Sequence, residues 1–369
     1  MKKVLTIGGA TEDIFLLYDN IEMINLITEF EDRSFIILEE GRKINLDGLK
    51  YFTGGGATNS AASFKNLGFS VAPFFKVGND REATFILKQL KLLQLKLEYI
   101  IKDPHESTAI SFIIPTQKGD RTVLVYRGAN RFLKKDELPE TALNEADVVY
   151  ITSLTGESSQ LLPIIANQAK KHNCYVAINP GSSQLKAGAN MIQEALPNID
   201  IFILNSLEAR YCMASLIQTD ETLQKNLLTV EPFKAKNKLP ELLRTTLIHK
   251  GICFSLRHYF RAVLERGAQI AVVTNGAEGV YVATKNEILF HPSLDTKIIN
   301  TLGAGDAFGS SFTACITDNW SIENALRAGI INATSVISSL DTKSGLSTKN
   351  QLEKKLNVID KSLIQRFDL

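Results

Sequence analysis

Cysteine is scarce in this chain, and the four present, Cys174, Cys212, Cys253 and Cys315, stand far apart with no C-x-x-C spacing. That argues against a disulfide framework or a zinc knuckle and fits free thiols buried in a reducing compartment. Long apolar runs are missing too: none approaches the ~20 residues needed to cross a bilayer. The run Val4–Ile7 breaks at Gly8-Gly9 and meets Glu12-Asp13, too soon for the apolar segment of a signal peptide. Nor is there an excess of either charge, since 41 Lys and Arg against 40 Asp and Glu leave a formal net charge of +1. No basic block is long enough to track a phosphate backbone. The expectation is a cytoplasmic protein with neither nucleic acid nor membrane as partner. Several catalytic signatures are also absent. There is no G-x-x-x-x-G-K-[ST] loop and no G-x-S-x-G elbow, and His105, His172, His249, His258 and His291 have no metal-ligand spacing.

What is present is an ordinary folding composition, 44% hydrophobic and 22% charged over 369 residues, enough for one large domain with accessory elements. Apolar runs of strand length recur at Val4–Ile7, Val71–Val77, Val148–Ile151, Tyr175–Ile178, Ile201–Leu204 and Ile270–Thr274. Runs without alternation suit strands covered on both faces of a parallel sheet. Helical patterns lie between them, at Ala57–Leu67, Glu82–Leu93, Ser159–Lys171 and Ser206–Met213. The alternation predicts an α/β, doubly wound, mainly parallel sheet flanked by helices. Two segments break the rhythm. Residues 15–38 and 108–126 alternate apolar and polar side chains, with a turn-like Gln117-Lys118-Gly119-Asp120 in the second, and are expected to join in one small β-sheet acting as a lid. The stretch from about 218 to 266 is longer than a crossover needs and is expected to be a helical insertion.

Chemistry concentrates in two glycine-rich segments. The first, Asn300-Thr301-Leu302-Gly303-Ala304-Gly305-Asp306, feeds a helix. A glycine turn at a helix N-terminus offers backbone N–H groups and the positive end of the dipole, hence an anion site. Asp306 within it reads either as a helix cap or as a carboxylate that accepts the proton of an attacking hydroxyl. The second, Thr53-Gly54-Gly55-Gly56-Ala57-Thr58-Asn59, fails as a dinucleotide fingerprint because Asn59 stands where a third glycine belongs and no isolated strand is expected before it. It reads either as a turn with a helix cap or as a loop approaching a polyhydroxyl substrate, with Asn59 offering donor and acceptor together to a diol.

In this order and spacing the two segments resemble those of the ribokinase-like, or PfkB, carbohydrate kinases, which carry GG-x-x-x-N and D-T-x-G-A-G-D. The resemblance extends over about residues 4–345 and implies a single ribokinase-like kinase domain across 1–369. It further implies ATP-dependent transfer of the γ-phosphoryl group to a hydroxyl of a sugar or nucleoside, with Asp306 as base and Gly303, Ala304 and Gly305 as anion hole. Asp13, Gly54, Gly55 and Asn59 would bind the acceptor, and Asn205, Thr274, Gly276, Gly279 and Gly305 would bind ATP. Asn205 and Glu208, in an N-x-x-E element, would serve Mg²⁺ through phosphates or water, although on sequence alone they read as a capping box. Asn300 replaces the family's aspartate at a position linked to a monovalent cation, which leaves K⁺ activation open. A monomer, or a homodimer through the lid, is expected. Two other classes stand beside this reading: a catalytically silent sugar- or nucleotide-binding module on the same fold, and an NAD-dependent dehydrogenase, against which Asn59 counts.

Overall fold

In the computed structural model, the residues described are 1–18, 22–27, 32–116, 121–187, 189–220, 223, 239–249 and 251–369. The strands in chain order begin with β1 (Lys3–Ile7), β2 (Thr11–Leu17), β3 (Met23–Ile27), β4 (Asp32–Ile36), β5 (Gly48–Gly54), β6 (Ser70–Phe74), β7 (Lys76–Val77), β8 (Ile101–Lys102), β9 (Ala109–Pro115) and β10 (Arg121–Tyr126). They continue with β11 (Val148–Ile151), β12 (Tyr175–Ile178), β13 (Ile201–Asn205), β14 (Leu247–His249), β15 (Ile252–Phe254), β16 (Ile270–Thr274), β17 (Val280–Ala283), β18 (Glu287–His291) and β19 (Gln365–Asp368).

The central sheet has nine strands in the order β19–β18–β17–β16–β13–β12–β11–β1–β6. From β16 to β6 every pairing is parallel, and β17, β18 and β19 extend one edge in antiparallel fashion. The unalternated runs are explained by burial on both sides. On one face Ile7, Val149, Ile151, Val176, Phe202 and Leu204 pack with Ile165, Met213 and Phe260 of three helices. On the other, Val4, Val148, Tyr150, Ile203 and Val272 pack with Phe64, Ile86, Phe308 and Leu326. Side chains of this size stabilise the fold by about 1.5–3 kcal/mol each when fully buried. All six runs expected from the sequence are strands, Val71–Val77 being divided between β6 and β7. Among the described residues no helix is long and apolar enough to cross a membrane.

Four differences from the sequence reading have physical causes. The small sheet has the order β10–β9–β2–β5, so of 15–38 only the end of β2 joins it, while β3 and β4 pair with each other as a separate hairpin. Its fourth strand is β5, which runs directly into Gly54, so a strand does precede the glycine loop, although it pairs antiparallel with β2. The turn at 117–120, and much of 218–238, lie outside the described residues. The described part of the 218–266 insertion is not wholly helical: β14 and β15 form a hairpin between helices Glu241–Arg244 and Leu256–Glu265. Finally, Cys174, Cys212 and Cys315 are buried as expected, but Cys253 is exposed on β15.

Candidate functional site

The end of β5 with the start of helix Gly56–Asn66, and the N-terminus of helix Ala304–Thr317, deliver the two glycine segments, while β2 carries Asp13 and the carboxyl ends of β13 and β16 in the central sheet carry Asn205 and Thr274. Such an edge is where open α/β sheets place ligands, because helix N-termini and loops converge there. Helix Gly56–Asn66 opens after Gly55, whose φ of 90° lies in the left-handed region that glycine adopts freely. A Cβ at Gly55 would come within 2.7 Å of Ala10 Cα, so the loop is pressed against the turn after β1. That turn is braced by Asn130, whose Nδ2 donates to the Ala10 carbonyl at 2.9 Å while its Oδ1 accepts from Ala10 N at 3.1 Å. Gly54 is needed for a different reason: a Cβ there would overlap the Asp13 carboxylate, reaching 2.6 Å from Oδ1.

Helix Ala304–Thr317 begins after Gly303, at φ 78°, with Asp306 in its first turn. A Cβ at Gly303 would meet Thr342 Cβ at 2.8 Å, whereas one at Gly305 would meet nothing within 4 Å. Gly305 is exposed, so its lack of a side chain answers no neighbour within the chain. The Asp306 side chain does not close the helix end by capping; its Oδ2 accepts from Asn59 Nδ2 at 2.8 Å. The N–H groups of the first turn, which have no partner inside a helix, are therefore left without a side-chain cap.

Asp13 on β2 completes the cluster. It is 4% exposed, and its Oδ1 accepts from Thr11 Oγ1 at 2.8 Å. Burial pushes the carboxyls of both Asp13 and Asp306 above the usual carboxylate range. Opposing that rise are the Thr11 hydroxyl at Asp13, the Asn59 amide at Asp306, and the Lys343 ammonium at both. Asn59 differs in one respect from the expectation. Its Oδ1 accepts from Lys343 Nζ at 2.7 Å and Thr342 Oγ1 at 2.8 Å, which occupies both lone pairs. Toward the opening it can offer only a donor, so a donor–acceptor pair for a diol must combine Asn59 Nδ2 with Asp13.

The N-x-x-E element adopts the capping box that sequence alone favoured. Asn205 Oδ1 accepts from Glu208 N at 2.8 Å, and Glu208 Oε2 accepts from Asn205 N at 3.0 Å. Ser182 Oγ donates to the other oxygen of Glu208 at 3.3 Å. Burial raises the Glu208 carboxyl, and the nearby Asp306 charge adds to the rise. Thr274 ends β16, and the turn after it runs through Gly276 at φ 54° to Gly279 at φ 132°, where a Cβ would meet Pro292 Cα at 2.7 Å. Asn275 Nδ2 donates to Glu241 Oε2 at 3.3 Å, which joins this turn to the insertion. Asn300, also buried, donates from Nδ2 to the Leu340 carbonyl at 2.7 Å and accepts at Oδ1 from Leu302 N at 3.0 Å.

The structure thus gathers Asp13, Gly54, Gly55, Asn59, Gly303, Ala304, Gly305 and Asp306 tightly. Asn205 ends β13 with Glu208 in the helix that follows, and Thr274, Gly276 and Gly279 stand at and after the end of the neighbouring β16. Sequence reasoning missed Lys343 and Thr342, on the loop after helix Ile322–Ile337, and Arg121 of β10, which donates to Thr301 Oγ1 and so ties the small sheet to the loop before Gly303. A lysine in Asp341-Thr342-Lys343-Ser344-Gly345 reads as an exposed turn, and nothing local reports that it turns inward.

The sequence pattern described as pfkB family carbohydrate kinase matches residues 21–237 and 254–349, more than half of the chain. Asp13 lies before the matched residues, and the interruption at 238–253 falls inside the insertion. A ribokinase of Staphylococcus aureus is 26% identical over 316 residues, 85% of each chain. A deoxyribokinase of Salmonella typhi is 21% identical over 347 residues, 94% of this chain and 99% of its own. Among solved structures, the nucleoside kinase of Methanocaldococcus jannaschii, a member of the ribokinase family, superposes with a TM-score of 0.71 at 19% identity, covering 97% of this chain and 99% of that one. Ribokinase of Arabidopsis thaliana, complexed with ribose and ATP, gives 0.71 at 16% identity, with 96% and 98% covered.

Proposed function

The chain belongs to the pfkB family of carbohydrate kinases and has the ribokinase-like fold, and from that premise we propose that it transfers the γ-phosphoryl group of ATP to a hydroxyl of a sugar or nucleoside. Membership leaves the dehydrogenase reading without support. The observation that carries the proposal is the meeting of Asp306 and Asn59 at 2.8 Å across 247 residues of sequence, beside the open space at Gly305.

In this reading Asp13 and the remaining Nδ2 hydrogen of Asn59 hold acceptor hydroxyls. One hydroxyl is aligned with Asp306. As its oxygen bonds to the γ-phosphorus, the bond to the β,γ-bridging oxygen breaks and ADP leaves with that oxygen, while the hydroxyl proton passes to the Asp306 carboxylate. The first-turn N–H groups of Ala304–Asp306 face the charge that spreads over the transferring oxygens. Raising the Asp306 carboxyl above its ordinary range brings its basicity closer to working pH, the condition under which general bases are most effective. Thr274, Gly276 and Gly279 would carry the nucleotide.

Direct chelation of Mg²⁺ does not fit the side chains present. Both oxygens of Glu208 and the amide oxygen of Asn205 already accept a hydrogen bond within the fold, and the described residues contain no group of three acidic, cysteine or histidine side chains able to hold a metal. Mg²⁺ would enter with the phosphates of its ATP, Asn205 and Glu208 serving it through phosphates or water, and no step above depends on its position.

The small sheet acts as the lid, and its outer face provides the contact for a second copy. Leu49, Tyr51, Phe112, Leu124 and Tyr126 are all on one side of the β10–β9–β2–β5 register and 39–54% exposed. An apolar sheet face of this kind is commonly covered by a partner. The test of the function is release of ADP from MgATP across a panel of pentoses, hexoses and nucleosides. Turnover with one class identifies the acceptor; ATP binding without transfer to any would favour the silent binding module.

A further inference from the structure

Beyond the residues shared with the proposed reaction, one side chain is placed to organise them. Lys343 Nζ donates to Asn59 Oδ1 at 2.7 Å and to the Thr53 carbonyl, with Thr342 Oγ1 at 3.4 Å. Those three oxygens take up the three ammonium hydrogens, so the group is spent on the protein rather than offered to a ligand. Its loop is fixed from several sides. Asp341 Oδ1 accepts from Lys343 N at 2.6 Å and Ser344 N at 2.7 Å, and Asp341 Oδ2 accepts from Ser344 Oγ at 2.5 Å. Thr342 is 3% exposed and packs where a Cβ at Gly303 would stand, and a Cβ at Gly345 would meet Val336 Cα at 2.7 Å.

We infer that Lys343 is a positioning residue for the proposed transfer: by donating to Asn59 Oδ1 it fixes which way that amide faces, so that Nδ2 must point at Asp306, and by donating to Thr53 it holds the end of β5 beside Asp13. The inference rests on the kinase reading above. An amide can present either end, and an oxygen turned toward Asp306 would meet a carboxylate. With Lys343 and Thr342 both donating to Oδ1, only one orientation leaves every donor and acceptor matched. The ammonium also stands among Asp13 of β2, Asp306 of helix Ala304–Thr317 and Asp341 of its own loop. From there it favours the anionic form of the base. Arginine keeps the charge but has a broader planar head, so it replaces lysine only in part.

Electrostatics supplies a readout that packing alone would not move. Burial lowers the Lys343 ammonium to about 8, against the pull of Asp13, Asp341 and Asp306. Asp306 in turn is faced by Lys343, Asp13 of β2, Glu208 and the Tyr150 hydroxyl. Loss of the Lys343 proton should therefore end the active range on its alkaline side near that pH.

The experiment compares wild type, Lys343→Met and Lys343→Arg. Misplacement of the catalytic groups should lower kcat of the methionine variant on the order of 10²-fold, with KM for ATP within about twofold. The acid limb of its kcat/KM profile should move to higher pH, because Asp306 loses its cation. The arginine variant should recover part of kcat and lose the alkaline limb, since its charge persists. A second measurement needs no turnover: the Asp306 carboxyl, followed by its ¹³C resonance and assigned with Asp306→Asn, should titrate higher in Lys343→Met than in wild type. An unchanged Asp306 titration overturns the inference whether or not the protein phosphorylates any acceptor. A methionine variant with at least half the wild-type kcat and the wild-type pH profile overturns it as well. Failure of the kinase reading looks different, since wild type itself would then be inactive.

Discussion

Replacing Gly305 by alanine separates what the fold needs from what the proposed chemistry needs, because the two predict opposite signs. The residue is the second of helix Ala304–Thr317, with no positive φ, and an added methyl would touch nothing within 4 Å. Alanine exceeds glycine in helix propensity by up to about 1 kcal/mol, so the folded state should gain at most that. With an unfolding entropy of about 2.1 cal/mol/K per residue, 369 residues give roughly 0.8 kcal/mol/K, and the gain moves Tm upward by about 1 °C. The methyl would stand, however, in the open space beside the first turn, whose N–H groups the proposal gives to the transferring phosphoryl oxygens. Loss of one such donor from an anion hole costs about 10²–10³-fold in kcat. Differential scanning calorimetry and ADP release on the same preparations give both numbers. A variant that is destabilised by several degrees would show that the space belongs to the fold. One with wild-type turnover would show that no phosphoryl group approaches there.

Further outcomes follow from the same geometry. Asp306→Asn should be more stable than wild type at pH 7. The wild-type carboxyl is raised above its unfolded value, so the folded state binds more protons, and stability falls as pH rises through that interval. The advantage should shrink as pH approaches 4 in urea melts, and a variant less stable at every pH would contradict the assigned burial penalty. Gly54→Ala drives a methyl into the Asp13 carboxylate. It should raise KM for the acceptor at least tenfold, since hydrogen bonds to a charged group contribute about 1.5–3 kcal/mol, while KM for ATP holds; equal effects on both substrates would remove Asp13 from the acceptor site. Leu124→Asp on the outer face of the lid should convert a dimer to a monomer in light scattering, and a wild-type monomer would dismiss that interface.

How far the sequence carried depended on the range of the forces involved. The parallel sheet was legible because Val148–Ile151 and Ile201–Leu204 are apolar without alternation, a local pattern with one physical cause. Both glycine segments were legible as loops opening helices, and Asn205 with Glu208 forms the capping box that its spacing suggests. The lid was legible in kind but not in membership. β5 merges with the glycines that follow it and pairs with β2, while β3 and β4, inside the expected lid segment, pair with each other instead. Lys343 was beyond reach, for a charged residue in a polar turn announces solvent, and its partner Thr53 is 290 residues away. The acceptor oxygen of Asn59 was misassigned for the same reason, since the donors that occupy it come from that loop.

The most direct test of the account is a single-turnover measurement of phosphoryl transfer from γ-³²P-ATP to the acceptor found by the panel, with wild type and Asp306→Asn side by side at saturating concentrations. General-base catalysis contributes about 10²–10⁴-fold, and the asparagine variant should bind ATP normally while transferring label slower by that factor. Transfer at more than about a third of the wild-type rate, far inside the loss expected of a missing base, would contradict the role given to Asp306, and a wild type that labels no sugar or nucleoside would contradict the proposed activity itself.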